Sequence, residues 1–291
     1  ITREWGLSKK QELLMGLRIA TNIASQSVQK NLKEVSNAGN AQLEKLSSGK
    51  RITKASDDAA GLAIATNLEA QTKGLRQATR NANDGISLVQ TAEGGLNETS
   101  NILVRLRELT VQAASDTVGE SERGFLDKEY QQLTKEVDRI SDSTTFNGSQ
   151  LLNGKGKGSM DFQVGAFAGE QNKITFESSE TDSSSSSIGI NGTSIGNKDD
   201  ALSAISTVDS AITKVSGQRA NLGSIQSRLG STVKNLETQT INQDSARSVI
   251  QDVDVAEASA ALASNSVVKN AAVSTLAQAN QIPNSALRLI S

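Results

Sequence analysis

The sequence predicts a mainly α protein, an elongated antiparallel bundle of long coiled-coil helices with a small β-hairpin tip. Two runs of heptads and one composition shift predict it. Leu68, Leu75, Ala82, Val89, Leu96 and Leu103 fall seven residues apart, and Ala78, Ala92, Leu106 and Ala113 keep the same phase. Ala201, Val208, Val215, Leu222, Leu229 and Leu236 repeat the pattern later in the chain. Between these runs, residues 144–197 lose the helical period and gather four of the five Phe residues.

The first run fits one helix over residues 57–115, roughly 90 Å long at 1.5 Å per residue. Such a helix cannot bury its stripe alone, and the second run supplies the partner. Residues 80–85 (RNANDG) read locally as a turn, and Gly94 and Gly95 weaken a helix by about 1 kcal/mol each. The heptad phase passes through both places unbroken. The glycines therefore read as points where helices approach closely.

The other elements follow in order. Residues 1–14 precede Met15 and hold the only Trp, so they read as an extension that is not native, with Met15 as the start. Residues 17–46 carry Ile19, Ile23, Val28, Leu32, Val35, Leu43 and Leu46 at helical spacing, and Gly49 fits the closing position. Asp57 and Asp58 suit the start of the long helix. A shorter helix over 121–141 places Leu126, Tyr130, Leu133, Val137 and Ile140 on one face.

Residues 160–164 and 174–176 alternate as strands of a hairpin, and residues 183–187, all Ser, read as an exposed loop. Leu202, Ile205, Ile212 and Val233 widen the second heptad stripe. That helix is expected to give way to a polar stretch at 238–252. A last helix then starts near Val253, with Val268, Ala272, Leu276 and Ala279 on one face and Pro283 bending or fraying its end. The domains read as residues 15–49 with 253–291, and residues 50–252 carrying the tip, with both termini at one end.

Composition limits the function. The chain has 291 residues, 36% of them hydrophobic but only 2% aromatic, which favours aliphatic seams over wide cores. A net charge of -2 offers no bulk attraction for nucleic acid or an anionic membrane. No apolar run approaches the roughly 20 residues of a membrane span. Without His or Cys, thiolate and imidazole ligands and any mechanism built on those groups are excluded. Paired acids such as Asp199 and Asp200 read as helix-start charges, so neither enzyme activity nor a cofactor is expected.

Several segments resemble the bacterial flagellin family. They are residues 45–52 (KLSSGKRI), 56–64 (SDDAAGLAI), 77–86 (QATRNANDGI), 105–112 (RLRELTVQ), 146–148 (FNG), 162–165 (FQVG) and 274–281 (STLAQANQ). The resemblance implies a structural subunit that self-assembles into the extracellular flagellar filament used for swimming. It also implies that residues 15–49 and 253–291 form the inner-tube domain, and that large outer domains are missing. Ile23, Val28, Leu32, Val35, Val268, Ala272, Leu276 and Ala279 are the inner-tube assembly candidates on the terminal helices. Arg105, Arg107, Glu108, Leu109, Gln112 and Glu129 are candidates for subunit interface or receptor contact, with Val104 where the family often has Gln.

The implied partners are further copies of the chain, a flagellin chaperone, the type III export apparatus, the filament cap, hook-associated proteins and Toll-like receptor 5. No nucleic acid and no membrane insertion are expected. The competing readings are the hook–filament junction protein and a signalling coiled coil. The full motif set opposes the first, and the Phe- and Gly-rich middle opposes the second. Asn97, Asn147 and Asn191 fit the N-glycosylation pattern, and residues 181–187 are the expected place for Ser/Thr glycans if any are carried.

Overall fold

The computed structural model describes residues 21–156 and 158–290, with side chains through residue 281. The expectations for residues 1–14 and Met15 lie outside the described residues. In order, the elements are α1 (Ile23–Ser48), α2 (Ala59–Ala114), α3 (Glu120–Ser143), β1 (Thr145–Phe146), β2 (Ser149–Gln150), β3 (Ser159–Gln163), β4 (Lys173–Glu177), α4 (Ser185–Ile188), α5 (Lys198–Gln251) and α6 (Val255–Ile290). They fall into two compact units. One takes the residues through Asn67 and from Ser245 onward, and the other is Leu68–Asp244.

In the second unit the heptads form the core. From Leu75 to Leu103 every position of the first row is buried, as are Ala78, Ala92, Leu106 and Ala113. All six positions of the second stripe, Ala201 to Leu236, are buried too. Leu202 is the exception among the flanking residues expected to widen it, at 50% exposed. Tyr130 and Val137 of α3 join the main cluster, as do Leu152, Phe176, Ile190 and Ile195 from the segment between α3 and α5, and Leu75, Ala78 and Leu236 form a smaller one.

Ion pairs record the antiparallel register of α2 and α5. Lys198 meets Asp116 just past the end of α2, Arg107 meets Asp209, and Arg76 meets Asp244, each at 2.6 Å. Arg219 and Glu93 add a looser contact at 3.9 Å. The paired numbers sum to nearly the same value each time, as two helices running in opposite directions require.

The helix over 80–85 is continuous, so periodicity prevails over the local turn signal. A Cβ on Gly85 would come within 3.2 Å of the Phe162 ring, and one on Gly95 within 2.6 Å of Leu152 Cδ1. These two glycines mark close approaches, but Gly95 meets the loop residues Leu152 and Thr144 and not another helix, and Gly85 meets Phe162 of β3 as well as Leu229 of α5. Gly94 marks none, since nothing lies within 4 Å of its Cβ position. The α2 C-terminus is closed by Arg123, which is buried and donates to the carbonyls of Ala113 and Ser115 at 2.8 and 2.9 Å.

The hairpin expected from alternation is present, with β3 and β4 antiparallel and Phe162 opposite Ile174. The serine run is a correction. Ser183 and Ser185 are buried, and Ser184 caps the short α4. Asp138 accepts from the Ser185 amide at 2.7 Å and from its hydroxyl at 2.8 Å, while Asp127 accepts from the Ile195 amide at 2.8 Å. Small hydroxyl side chains let the connector lie against α3 and be held by hydrogen bonds, alongside the buried Ile188, Ile190 and Ile195. Thr181, Ser183 and Ser185 are therefore poor glycan acceptors.

Two other boundaries differ from expectation. The polar stretch at 238–252 remains helical, because α5 continues to Gln251. The stretch holds neither Gly nor Pro, and polarity without a breaker does not end a helix. Likewise α6 is helical through Pro283 to Ile290.

Candidate assembly surface

The unit built from the chain ends is an antiparallel pair with fastened ends and a thin middle. At one end Asn22 caps α1, its side chain accepting from the Ser25 amide, while its Nδ2 donates to the Ala279 carbonyl at 2.9 Å. The Ser25 hydroxyl reaches Asn280 Oδ1 at 2.8 Å. At the other end Gly49, in the left-handed region at φ 69°, closes α1. There the Val253 amide donates to Gly49 and the Arg51 amide to Gln251, at 3.0 and 2.7 Å.

Asp57 organises the loop that follows, accepting from the Thr53 and Lys54 amides at 3.1 Å each. The Lys54 and Thr53 hydrogen bonds hold its carboxyl below the ordinary aspartate value.

Between the fastened ends little is enclosed. Among the described residues of this unit, the buried apolar side chains are Ile52, Ala65, Ala258 and Ala279. Val28, Leu32, Val35, Ala272 and Leu276 are half-buried, Ile23 is 56% exposed and Val268 46%. Thus the inner-tube candidates point partly into the pair and partly away. Leu43, assigned to the α1 stripe, is itself 51% exposed, and Val255, Val267 and Val273 are exposed apolar residues that the single-face reading missed. The signal was available: the three valines are the apolar positions left over once one stripe per helix is assigned.

The candidates on α2 and α3 are drawn into the subunit itself. Arg105 grips Glu129 of α3 through Nε and Nη2 at 3.1 and 2.9 Å and reaches Glu108 at 2.9 Å. Glu129 foremost, with Glu108, raises the Arg105 pKa above its usual value, and Asp209 does the same for Arg107. Leu109 is fully buried and offers nothing to a partner. Gln112 is exposed and lines an open cleft of about 590 Å³ with Val118, Glu122, Phe125 and Leu126. Val104, Val111 and Phe125 add exposed apolar area, and Lys128 lies 5.5 Å from the Phe125 ring centre. What the surface offers is apolar area beside fixed charges, which suits protein contact.

Residues 19–157 match the family described as the bacterial flagellin N-terminal helical region, and residues 205–290 match the bacterial flagellin C-terminal helical region. The chain belongs to the bacterial flagellin family. A flagellin of Halalkalibacterium halodurans is 41% identical over 269 residues, covering 92% of this chain and 98% of that one. A Bacillus subtilis flagellin is 38% identical, covering 94% and 100%. The flagellar filament core protein flaB2 of Brachyspira hyodysenteriae is 38% identical, covering 94% and 99%. A solved Bacillus cereus flagellin is 31% identical, covering 58% of this chain and 94% of its own, at a TM-score of 0.49. With relatives of nearly equal length, this flagellin carries no room for large outer domains beyond its β3–β4 hairpin and connector.

Proposed function

We propose that this flagellin is a structural subunit that polymerises into the extracellular flagellar filament, and that the α1–α6 unit acquires its core from neighbouring copies. One observation carries the second part: among the described residues of this unit of long helices, the buried apolar side chains are Ile52 and three alanines, while Val255, Val267 and Val273 are left in solvent. Burying one valine contributes on the order of 1.5 kcal/mol or more. Isolated helices are marginal in water, and tertiary packing supplies most of their stability. Copies packed around a common axis would supply it here. Contacts of unlike patches that do not close into a ring generate an open helical filament.

The terminal helices then form the inner tube, and the α2–α3–α5 bundle the shell around it. The protein acts without catalysis. Exposed apolar helices need cover before export, so a cytoplasmic chaperone for α6, passage through the type III apparatus, and contact with the cap and hook-associated proteins belong to this reading. Toll-like receptor 5 recognition would use the exposed Arg105, Glu129 and Gln112 surface.

Electron microscopy of the purified chain after salt-induced polymerisation tests the function. Helical filaments are expected. A chain that stays monomeric, or forms only closed oligomers, overturns it. For the chaperone, removing residues 253–291 should abolish binding, and retained binding contradicts its placement on α6.

A further inference from the structure

Three asparagines stand directly before a glycine: Asn147, Asn153 and Asn191. A glycine leaves the amide nitrogen after the asparagine unscreened by any side chain, so that nitrogen can attack the asparagine carboxamide. The fold treats the three sites differently.

Asn147 and Gly148 are the whole loop between β1 and β2, since Phe146 pairs with Ser149. Both have positive φ, 47° and 75°, which makes the turn type I′. Among the described residues Asn147 is the one non-glycine residue with positive φ. Both turn residues are exposed, and a Cβ on Gly148 would meet nothing within 4 Å. Asn153 is buried and its carboxamide is held at both ends, Nδ2 donating to Asp142 Oδ1 at 3.1 Å and Oδ1 accepting from the Lys155 amide at 3.0 Å. Asn191 is exposed, but its φ is negative, and it stands in a turn closed by the Thr193 amide on the Ile190 carbonyl at 3.3 Å.

We infer that Asn147 is a site of self-modification, converting to aspartate and isoaspartate through a cyclic imide formed with Gly148. The Gly148 nitrogen attacks Asn147 Cγ and an N–Cγ bond forms. The Cγ–Nδ2 bond breaks, and Nδ2 leaves as ammonia with the proton that Gly148 gives up. Water then opens the ring. Addition at Cγ leaves aspartate. Addition at the main-chain carbonyl carbon leaves isoaspartate, with the chain now running through the former side chain. Only water is consumed, and each copy gains one negative charge.

The turn selects this site. Ring closure holds the ψ of an L residue at about −120°, the value at the first central residue of a type II′ turn, whose φ is about +60°. Asn147 already has a φ of 47°. Turning over the one peptide plane between Asn147 and Gly148 converts type I′ into type II′ within the same two-residue loop, and Gly148 accepts the negative φ that results. Asn191 would have to leave its turn, and Asn153 would have to break both hydrogen bonds. Isoaspartate also adds a main-chain carbon to a loop of two residues. Leu151, whose amide donates to the Thr144 carbonyl at 3.1 Å, and Leu152 are fully buried just after β2. The longer loop works against the pairing that delivers them to the core.

The test uses the purified full chain as monomer, so it stands apart from the filament reading. The chain is kept in mildly alkaline buffer, sampled over time, digested at acid pH and mapped by mass spectrometry, with isoaspartyl methyltransferase marking isoaspartate. Position 147 should convert about tenfold or more faster than position 191, with position 153 slowest, because forcing a constrained backbone into an unfavoured conformation costs a factor of that size. In denaturant the three rates should converge. Equal rates at 147 and 191 in the folded chain, or the same ranking kept in denaturant, overturn the assignment. Asn147→Asp supplies the charge without lengthening the loop. It should melt like the fresh parent, and the aged parent should melt lower; an aged parent that melts like Asn147→Asp overturns the effect on the β1–β2 pairing.

Discussion

Arg107 Nε donates to Asp209 Oδ1 at 2.6 Å, joining α2 to α5 two residues from the start of the buried Leu109–Thr110 pair. The contact is half-exposed and stabilises little by itself, but it sits in a series with Lys198–Asp116, Arg219–Glu93 and Arg76–Asp244 that fits one antiparallel register. Slipping α5 by one residue would mismatch the whole series and the Val208–Leu229 stripe together. The long helices are thus aligned by packing, with charge favouring the same alignment.

Arg107→Glu should repel Asp209 and lower the monomer melting temperature by on the order of 2–4 °C. Adding Asp209→Lys should recover most of the loss, and salt should shrink both effects. Melting curves of the single and double variants at low and high salt check this. An unchanged Arg107→Glu variant at low salt would remove the pair from the register.

The two adjacent glycines of α2 should respond in opposite directions. Alanine at position 95 meets Leu152 at 2.6 Å and Thr144 Oγ1 at 2.7 Å, so Gly95→Ala should destabilise by about 1–3 kcal/mol. Gly94→Ala meets nothing within 4 Å and should stabilise by up to about 1 kcal/mol through helix propensity. Denaturant titration of the two variants measures both. Equal effects would mean that Gly95 has no packing role.

Tyr130 makes the bundle sensitive to base. Burial raises the pKa of its phenol above the usual 10.0. The fold therefore keeps the proton longer than the unfolded chain does. Stability is unaffected below pH 10 and falls as pH rises above it, because unfolding then releases a proton. Tyr130 is the only tyrosine, so tyrosinate absorbance follows it alone. Absorbance should rise together with loss of helix, and Tyr130→Phe should withstand base better. Ionisation near pH 10 with helix intact would contradict its burial.

Acid should loosen the Asp57 loop and the Lys198–Asp116 contact. Asp57 is held low by the Lys54 and Thr53 hydrogen bonds, and Asp116 by Lys198. Their contribution is complete above the ordinary value of 3.8 and is lost as pH falls through their lower folded values. Asp57→Asn should abolish the part of the acid response seen in exchange of the Thr53 and Lys54 amides. If that exchange has the same pH dependence in the variant, Asp57 does not anchor the loop.

The sequence disclosed most of the bundle because a seven-residue period survives every local contradiction, including the RNANDG segment. It disclosed the hairpin because Met160–Val164 alternates. It misplaced the end of α5, since polar residues 238–252 carry no stop signal and no stripe. It misjudged the serines, since low complexity does not reveal that Asp127 and Asp138 await the connector across α3. Among surface candidates, Arg105 and Glu129 were legible only as family motif positions. Their mutual grip depends on how α3 folds back on α2, which no local pattern encodes. The exposed Val255, Val267 and Val273 were legible in principle, as apolar residues with no place in the α1–α6 seam.

The central claim is that α1 and α6 gain their core from neighbouring copies. Hydrogen exchange, compared between dilute monomer and filament, tests it most directly. The account predicts rapid exchange in Ile23–Ser48 and at residues 255–281 of the monomer, strong protection at residues 75–110 and 201–236, and slowing of the terminal helices by orders of magnitude on polymerisation. Terminal helices protected in the monomer as well as the central bundle is, with no further slowing in the filament, would contradict it.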